Sequence, residues 1–397
     1  MYQVTNYING KECFESNESI SIINPSYGTN IGEVLYATKD TTNNAINAAA
    51  ETFITWSKTG LSYRAELILK LRQGIINKSE EIIDICIKEA GKTRPDAEAE
   101  LDRAVQALTH IAGVQHFYPS IMSPNVAGGI DITDVRYPIG VVVGCGPFNF
   151  PILIPILHAS MAIVTGNTFI AKPSEKVPSI SRLYADIFKE SGFPDGCYNV
   201  LNGDKEIVEQ LVCHEKVAGL AFIGSTPVAK SLKILGVQNN TKIQALGGGK
   251  NHMVVLPDAD LDMAADAAVS AGFGAAGQRC MAVSVVVAVG EIADELVGKI
   301  KDRIPSLVMG KTDNPDTQLG PVISQENKDR IYSFIDLAET EGASLVFDGR
   351  PLSDKEEGSF VGATLIDHVR PGMSVYENEI FGPVLCFVRA SSYEEAM

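Results

Sequence analysis

The sequence predicts an α/β protein that has a doubly wound parallel sheet and a second α/β domain. Between residues 139 and 246, short β-branched runs alternate strictly with stretches of helical periodicity. The same alternation begins again after Lys250. Two parallel strands need a crossover connection, usually a helix, so strict alternation favours parallel sheets with helices on both faces. At 397 residues, the chain is long enough for two or three domains.

The N-terminal region is predicted to begin with short polar strands and to continue as helices. Tyr7-Ile8-Asn9-Gly10 carries a hairpin turn signal. Apolar residues recur at helical spacing over residues 41–56 and again over 62–90, and helices dominate to about residue 116. The stretch that follows is polar and Gly-rich, which predicts a protruding hairpin.

The remaining chain supplies the elements of two sheets. The predicted strands of the first sheet are 139–143, 168–171, 198–201, 219–223 and 242–246, with helices at 152–164, 179–191, 205–214 and 226–235. The predicted strands of the second sheet are 253–256, 283–289 and 344–347. One helix is predicted at 259–273, a second follows the strand at 283–289 and ends at about residue 304, and a third is predicted at 325–341. We therefore expect one α/β domain over 1–118 and 139–247, a hairpin or oligomerisation segment over 119–138, and a second α/β domain over 248–397.

Charge and cysteine content narrow the class of protein. Asp and Glu number 49 against 33 Lys and Arg, a net charge of −16 that argues against nucleic acid or an anionic membrane as partner. The seven cysteines are odd in number and widely spaced, and none forms a Cys-x-x-Cys pair. This pattern predicts reduced thiols, a cytoplasmic location and no metal site.

One uncharged stretch has the length of a transmembrane helix. Asp, Glu, Lys and Arg are all absent between Tyr137 and Ala171. Pro147, Pro151, Pro155, Asn149 and several glycines interrupt the stretch, so a buried strand, a loop, a helix and a second strand explain it better. We expect no membrane association.

Cys280 is the candidate nucleophile. It follows the small residues and the arginine of Phe273-Gly274-Ala275-Ala276-Gly277-Gln278-Arg279 and precedes an apolar run. A reactive thiolate needs close backbone approach and nearby positive charge, which this segment could provide. A single cysteine can also be a small buried apolar residue, so the assignment depends on further motifs.

Asn149 is the candidate oxyanion ligand. It lies within Pro147-Phe148-Asn149-Phe150-Pro151, after a β-branched run, between residues that would hold its side chain in place. A positioned amide can donate to one side of an oxyanion, and a backbone N–H, such as that of Cys280, can donate to the other.

Three more motifs complete the set. Two lie between Asn149 and Cys280, Lys172-Pro173-Ser174-Glu175 and Phe222-Ile223-Gly224-Ser225-Thr226, and the third, Glu379-Ile380-Phe381-Gly382-Pro383, comes after Cys280. All five together, in this order and at these separations, resemble the aldehyde dehydrogenase superfamily over essentially the whole chain. The resemblance implies NAD-dependent oxidation of an aldehyde through a cysteine thioester. It also implies that the domain over 1–118 and 139–247 is a modified Rossmann NAD-binding domain and that the domain over 248–397 is the catalytic domain. It also implies a homodimer or homotetramer. Family members continue beyond the Glu379 motif for several dozen residues, so the resemblance implies that the C-terminal part of the fold is missing here.

The resemblance implies NAD bound without the usual dinucleotide motif, since no Gly-x-Gly-x-x-Gly follows the strand at 139–143. Its implied cofactor contacts are Pro147, Phe148, Lys172, Glu175, Gly224, Ser225, Leu246, Glu379 and Phe381. A strand followed by Gly-Ser-Thr and a helix is in itself suited to bind an anion at the helix N-terminus. Taken singly, Lys172 and Glu175 could be a solvated ion pair and Ser225 a plain N-cap.

Within the family, three motifs resemble the CoA-acylating methylmalonate or malonate semialdehyde dehydrogenase branch: Pro147-Phe148-Asn149-Phe150-Pro151, the triplet Lys250-Asn251-His252, and Gly277-Gln278-Arg279-Cys280-Met281-Ala282. The hydrolytic branches carry a glutamate, which activates water, where Gln244-Ala245-Leu246-Gly247-Gly248-Gly249-Lys250 has Leu246. A thiol acceptor needs less help from a base than water does. Arg279 and Phe150 would then contact the substrate, with Arg279 pairing with its carboxylate, although Arg279 could instead form a surface ion pair. Two alternatives stay open: a hydrolytic NAD(P)-dependent enzyme that yields a free acid, and a truncated, non-catalytic form.

Overall fold

The computed structural model describes residues 2–353 and 357–397. Its helices are α1 Lys39–Trp56, α2 Leu61–Asn77, α3 Ser79–Ala90, α4 Arg94–Ala112, α5 Val114–Phe117, α6 Leu153–Val164, α7 Ser179–Glu190, α8 Lys205–Cys213, α9 Thr226–Gln238, α10 Leu261–Phe273, α11 Ala293–Arg303, α12 Gln325–Thr340, α13 Arg350–Ser353, α14 Ser374–Glu377 and α15 Tyr393–Ala396. Its strands are β1 Tyr2–Val4, β2 Asn6–Ile8, β3 Lys11–Cys13, β4 Ser19–Asn24, β5 Thr29–Leu35, β6 Ile121–Ala127, β7 Ile130–Asp134, β8 Val141–Cys145, β9 Thr168–Lys172, β10 Tyr198–Val200, β11 Val217–Ile223, β12 Lys242–Leu246, β13 Asn251–Val255, β14 Val283–Val289, β15 Ser344–Phe347, β16 Thr364–Asp367 and β17 Val384–Ala390.

The chain divides into two units. The first comprises residues 1–22, 30–86 and 98–247, and the second comprises 23–29, 87–97 and 248–397. The segments 23–29 and 87–97, which the sequence analysis assigned to the nucleotide-binding domain, thus group with the second unit. Sequence periodicity identifies elements but carries no information on which of two cores a short segment contacts.

A seven-stranded sheet forms the centre of the first unit, in the order β12-β11-β8-β9-β10-β2-β3. The five predicted strands are mutually parallel. β2 pairs antiparallel with β10, and β3 pairs antiparallel with β2. Val141, Val143 and Ile170 of the central strands are buried, and they pack in one cluster with Ile46 of α1 and Leu211 of α8. The α/β class predicted from alternation is confirmed.

The second unit has a five-stranded sheet in the order β13-β14-β17-β16-β15. Its strands are parallel except for β15, which pairs with β16 in antiparallel orientation. The sequence analysis did not predict β16 and β17. All four residues of β16 and most of β17 are buried, so neither strand shows the apolar–polar alternation by which a half-exposed strand is identified.

Two further differences concern the first unit. The helical pattern over 62–90 belongs to two helices, because Lys78 lies outside the helical region at φ −105° and ψ 16°. The apolar periodicity continues through this one-residue break, and so gave no sign of it. The segment predicted as a hairpin contains β6 and β7, which pair antiparallel and are exposed along their whole length.

Two features are absent from the described residues. None of their helices combines the length and apolar character needed to span a bilayer. Nor do three or more of their His, Cys, Asp or Glu side chains gather as a group that could hold a metal ion.

Candidate active site

The predicted site residues of the first unit all lie at, or just after, the carboxyl ends of parallel strands. Pro147, Phe148, Asn149 and Phe150 follow β8, Glu175 follows β9, Gly224 and Ser225 follow β11, and Lys172 and Leu246 are the last residues of β9 and β12. In the sheet, β8 has β9 on one side and β11 on the other, so the chain reverses its direction of winding at β8. Ligands of open α/β sheets bind in the crevice at such a point.

Helix α9 begins immediately after Gly224 and Ser225. Ser225 is extended, with φ −67° and ψ 147°, and its side chain makes no capping hydrogen bond to any described residue. The N–H of Gly224 donates to the carbonyl of Leu246 over 3.1 Å, which fixes the turn against β12. The 13-residue helix therefore presents an exposed N-terminus, where its dipole favours an anion.

Lys172 and Glu175 form an ion pair at the end of β9. The Lys172 Nζ lies 3.5 Å from a carboxylate oxygen of Glu175, and the two side chains are 10% and 37% exposed. The lysine is thus mostly buried, while the carboxylate reaches solvent. This asymmetry differs from the ordinary solvated pair that the sequence left open, and it leaves the Glu175 oxygens accessible to a ligand hydroxyl.

The loop that carries Asn149 is anchored by residues that the sequence analysis missed. Asn149 is buried, and helix α6 starts four residues later. One carboxylate oxygen of buried Glu100 accepts the N–H groups of Ile152 and Leu153, both over 2.8 Å. The Tyr184 hydroxyl donates to the Ile152 carbonyl over 2.8 Å. The sequence does contain a sign that Glu100 is buried. It lies three residues after Ala97 and four residues before Ala104, which are both buried on the apolar face of α4.

In the second unit, the candidate nucleophile follows a left-handed turn. Ala275, Ala276 and Gly277 have φ of 51°, 53° and 67°. Each non-Gly residue in this conformation costs about 1–2 kcal/mol, so the turn persists only because its surroundings determine it. A Cβ on Gly277 would overlap the carbonyl of Gly382, in the Glu379 motif. The left-handed turn and the Glu379 motif are thus in backbone contact.

Cys280 is exposed, which differs from the buried small apolar residue that was its alternative reading. The preceding Arg279 forms an ion pair with Asp96, and Asp96 accepts the Thr93 hydroxyl over 3.0 Å. The Arg279 guanidinium also covers Gly274, where a Cβ would come within 2.6 Å of Nη1. Part of the positive charge expected beside the thiol is therefore balanced by Asp96.

Two amide side chains that the sequence analysis left without a role hold the nucleophile segment. The buried Gln278 side chain accepts the Ile323 N–H over 3.0 Å. The Asn251 amide nitrogen donates to the carbonyls of Cys280 and Ala282, both over 2.9 Å. Both residues stand inside motifs that the sequence analysis quoted, but an amide gives no sign of its partners in sequence alone.

A cavity that is open to solvent adjoins this segment. Arg279, Lys250, Glu379 and Phe381 line it, so it unites three of the predicted site residues with one that had no assigned role. Burial raises the pKa of Glu379, an effect opposed by the Gly249 N–H and by the charges of Lys250 and Arg330. Burial also lowers the pKa of Lys250, whose Nζ donates to the Asn378 carbonyl over 2.8 Å. Phe381 is left-handed, with φ 56°.

Comparison with known proteins places these features in a family. The sequence profile of the aldehyde dehydrogenase family matches residues 14–397. The malonate-semialdehyde dehydrogenase of Bacillus pumilus is 40% identical over 394 residues, covering 99% of this chain and 81% of its own. The corresponding enzyme of Pseudomonas aeruginosa is 40% identical over 393 residues, covering 98% of this chain and 79% of its own.

Two solved structures share the fold. The methylmalonate-semialdehyde dehydrogenase of Oceanimonas doudoroffii superposes with a TM-score of 0.97 at 39% identity, covering 100% of this chain and 82% of that chain. The betaine aldehyde dehydrogenase of Staphylococcus aureus, crystallised with NAD+, gives a TM-score of 0.94 at 28% identity, covering 99% of this chain and 79% of that chain.

Proposed function

The chain belongs to the aldehyde dehydrogenase family, and from this premise we propose that it oxidises a semialdehyde of the malonate or methylmalonate type, with NAD, to an acyl-CoA. The observation that carries the proposal is the position of Cys280, exposed on a firmly held turn beside a cavity lined by Arg279 and Glu379. An accessible, positioned thiol is what nucleophilic attack on a carbonyl requires.

In the proposed reaction, the Cys280 thiolate attacks the aldehyde carbon and forms a thiohemiacetal. Asn149 and the Cys280 N–H donate to the oxygen as it becomes an oxyanion. The hydride leaves as the carbonyl re-forms, which yields a thioester on Cys280. The CoA thiolate then displaces Cys280, which leaves as a thiolate. A carboxylate β to the thioester carbonyl leaves as CO₂, the electrons of the broken C–C bond pass into the thioester enolate, and a proton from solvent is added to its α-carbon.

NAD fits the residues that are present, and when bound it accepts the hydride. The exposed N-terminus of α9 at Gly224 and Ser225 suits the pyrophosphate, as backbone N–H groups and the helix dipole favour an anion there. Lys172 and the solvent-facing carboxylate of Glu175 would hold the adenosine ribose. Glu379 and Phe381 would contact the nicotinamide riboside, and Pro147, Phe148 and Leu246 would complete the site.

The proposed acceptor is CoA because Leu246 stands where hydrolytic members have a glutamate. Leu246 ends β12 and is 51% exposed, so an apolar side chain occupies a solvent-accessible position that could hold a carboxylate. Thiols are far more acidic than water and can react without that base.

Arg279 is the proposed partner of the substrate carboxylate. A guanidinium has five N–H donors, and its pairing with Asp96 leaves others for a ligand in the cavity that Arg279 lines. Phe150 would supply an apolar contact in the same role. A carboxylated aldehyde would thus be selected over a neutral one of similar size.

The test is a product assay with malonate semialdehyde and NAD, with and without CoA. Without CoA we expect about one NADH per active site and then a slow phase, because the thioester persists. Addition of CoA should restore rapid turnover and yield acyl-CoA. Sustained rapid turnover without CoA, with free acid as product, would instead support the hydrolytic alternative, for which the cavity-lining Glu379 is a candidate base.

Two broader proposals accompany this function. All seven cysteines are free, which supports a cytoplasmic site of action, where thiols stay reduced. The exposed apolar side chains of the β6–β7 hairpin support a homodimer or homotetramer.

A further inference from the structure

The backbone around Cys280 is held from two directions. The Ala282 N–H donates to the Arg279 carbonyl over 3.0 Å, which closes a turn with Cys280 and Met281 at its centre. On the other side, the Asn251 amide nitrogen donates to the carbonyls of Cys280 and Ala282. An amide NH₂ has two donors, so both are used on this turn.

Asn251 is well placed for this role because of strand pairing. It is the first residue of β13, and it stands opposite Val283, the first residue of the neighbouring β14. The strand pairing is irregular between Asn251 and His252, so the regular ladder starts only after Asn251. The side chain therefore meets the chain just before β14, where Cys280 and Ala282 lie.

The nucleophile needs such external support. It lies three residues after a left-handed turn that is unfavourable for its two alanines, so local backbone preference does not fix the direction of the segment. The carbonyl carbon of Cys280 is bonded to its Cα. Fixing that carbonyl therefore restricts rotation about the Cα–C bond. This in turn restricts the direction of the Cα–Cβ bond, which carries the thiol, and the direction of the Cys280 N–H.

We propose that Asn251 is a positioning residue that aims the Cys280 thiol and N–H for attack on the aldehyde, through its two hydrogen bonds to the nucleophile turn. The proposal rests on the function assigned above to Cys280. Aspartate has nearly the same shape but presents only acceptor oxygens to two carbonyl oxygens. Alanine removes both bonds without adding a charge.

The experiment compares Asn251→Asp and Asn251→Ala with the wild-type protein. The readouts are kcat/KM for malonate semialdehyde, the Kd for NAD, and the fraction of Cys280 that iodoacetamide alkylates to completion. Misplacement of a reacting group by about 1 Å can cost about 10²-fold in rate. We expect kcat/KM to fall by about 10²-fold in both variants, with the Kd for NAD within twofold of wild type and about one label per chain at Cys280.

A matched control is Asn239→Asp. Asn239 also donates its amide to a backbone carbonyl, that of Leu235, over 2.9 Å, but at the C-terminal end of α9. We expect its kcat/KM to equal that of wild type. If the Asp variant does not fold, Asn251→Ala alone decides, since it introduces no repulsive oxygens.

Two results would overturn the inference: a kcat/KM within threefold of wild type, or a loss matched by equal losses in NAD affinity and in labelled fraction, which would make Asn251 a purely structural residue. Cys280→Ala separates this from the proposed function. NADH formation retained by Cys280→Ala would reject the proposed function, whereas an inactive Cys280→Ala with an unimpaired Asn251→Ala would reject only the role of Asn251.

Discussion

The buried amide of Asn149 belongs to a loop that Glu100 and Tyr184 hold by backbone contacts. Its proposed bond to the substrate forms only as the carbonyl becomes an oxyanion. We therefore expect Asn149→Ala to slow acylation by about 10²–10³-fold with little change in NAD affinity. Stopped-flow NADH formation and equilibrium NAD binding measure the two quantities. A raised KM with turnover preserved would make Asn149 a substrate-positioning residue instead.

Leu246 offers a way to convert the acceptor. Because the side chain is 51% exposed, a carboxylate there would keep much of its hydration, and Leu246→Glu should fold. We expect this variant to raise the slow, CoA-independent rate that follows the first turnover. Leu246→Gln is the matched control, since it has the same length without a base. Equal CoA-independent rates for the Glu and Gln variants would show that this position does not reach the thioester.

Glu379 should give NAD binding a pH dependence. Burial raises the pKa of its carboxyl, so the charged form is lost as the pH falls through the range around that raised pKa. If the carboxylate holds the nicotinamide riboside, the Kd for NAD should increase as the pH is lowered through this range. Isothermal titration of NAD at several pH values checks this. Glu379→Gln should bind NAD more weakly and with a flatter pH profile; an unchanged profile would exclude Glu379 as its source.

At the scale of elements, the turn before Cys280 depends on Gly277. Its φ of 67° is unfavourable for other residues, and a Cβ would overlap the Gly382 carbonyl. We expect Gly277→Ala to lower the thermal midpoint, since the left-handed conformation alone costs about 1–2 kcal/mol, and to reduce kcat/KM further by displacing the nucleophile.

The matched control is Gly298→Ala, in the same unit. Gly298 lies within α11, and a Cβ there would meet nothing within 4 Å. Alanine should stabilise that helix by up to about 1 kcal/mol and leave kcat/KM unchanged. Wild-type behaviour of Gly277→Ala in both measurements would show that the turn can rearrange.

At the scale of the whole molecule, the β6–β7 hairpin is the candidate for assembly. Ile121, Ile130 and Ile132 are each at least 55% exposed on a hairpin whose residues are all exposed. Contiguous exposed apolar side chains mark interaction surfaces. We expect the double variant Ile130→Lys/Ile132→Lys to reduce the mass measured by light scattering after size exclusion. The exposed Ile54 and Leu69 of α1 and α2 provide the control, Ile54→Lys/Leu69→Lys. An unchanged mass in the hairpin variant would exclude this surface.

The α/β class, the five parallel strands of the first sheet and the membership of the family could all be predicted from the amino-acid sequence. Strand–helix alternation and ordered motifs are local patterns, so they can be recognised without knowing which residues touch. The same patterns did not predict the break at Lys78 or the mostly buried strands β16 and β17. None of these features changes the periodicity of the apolar residues in a recognisable way.

The contacts that hold the nucleophile segment could not be predicted from the sequence and are visible only in the folded protein. The partners of Cys280 and Arg279 are Asn251 and Asp96, which stand 29 and 183 residues away in the chain. Likewise, the exposure of Leu246 and the hydrogen bond from the Ile152 N–H to buried Glu100 follow from packing between separate elements. A hydrogen bond or ion pair depends on distances that folding creates, and no local pattern in the sequence records them.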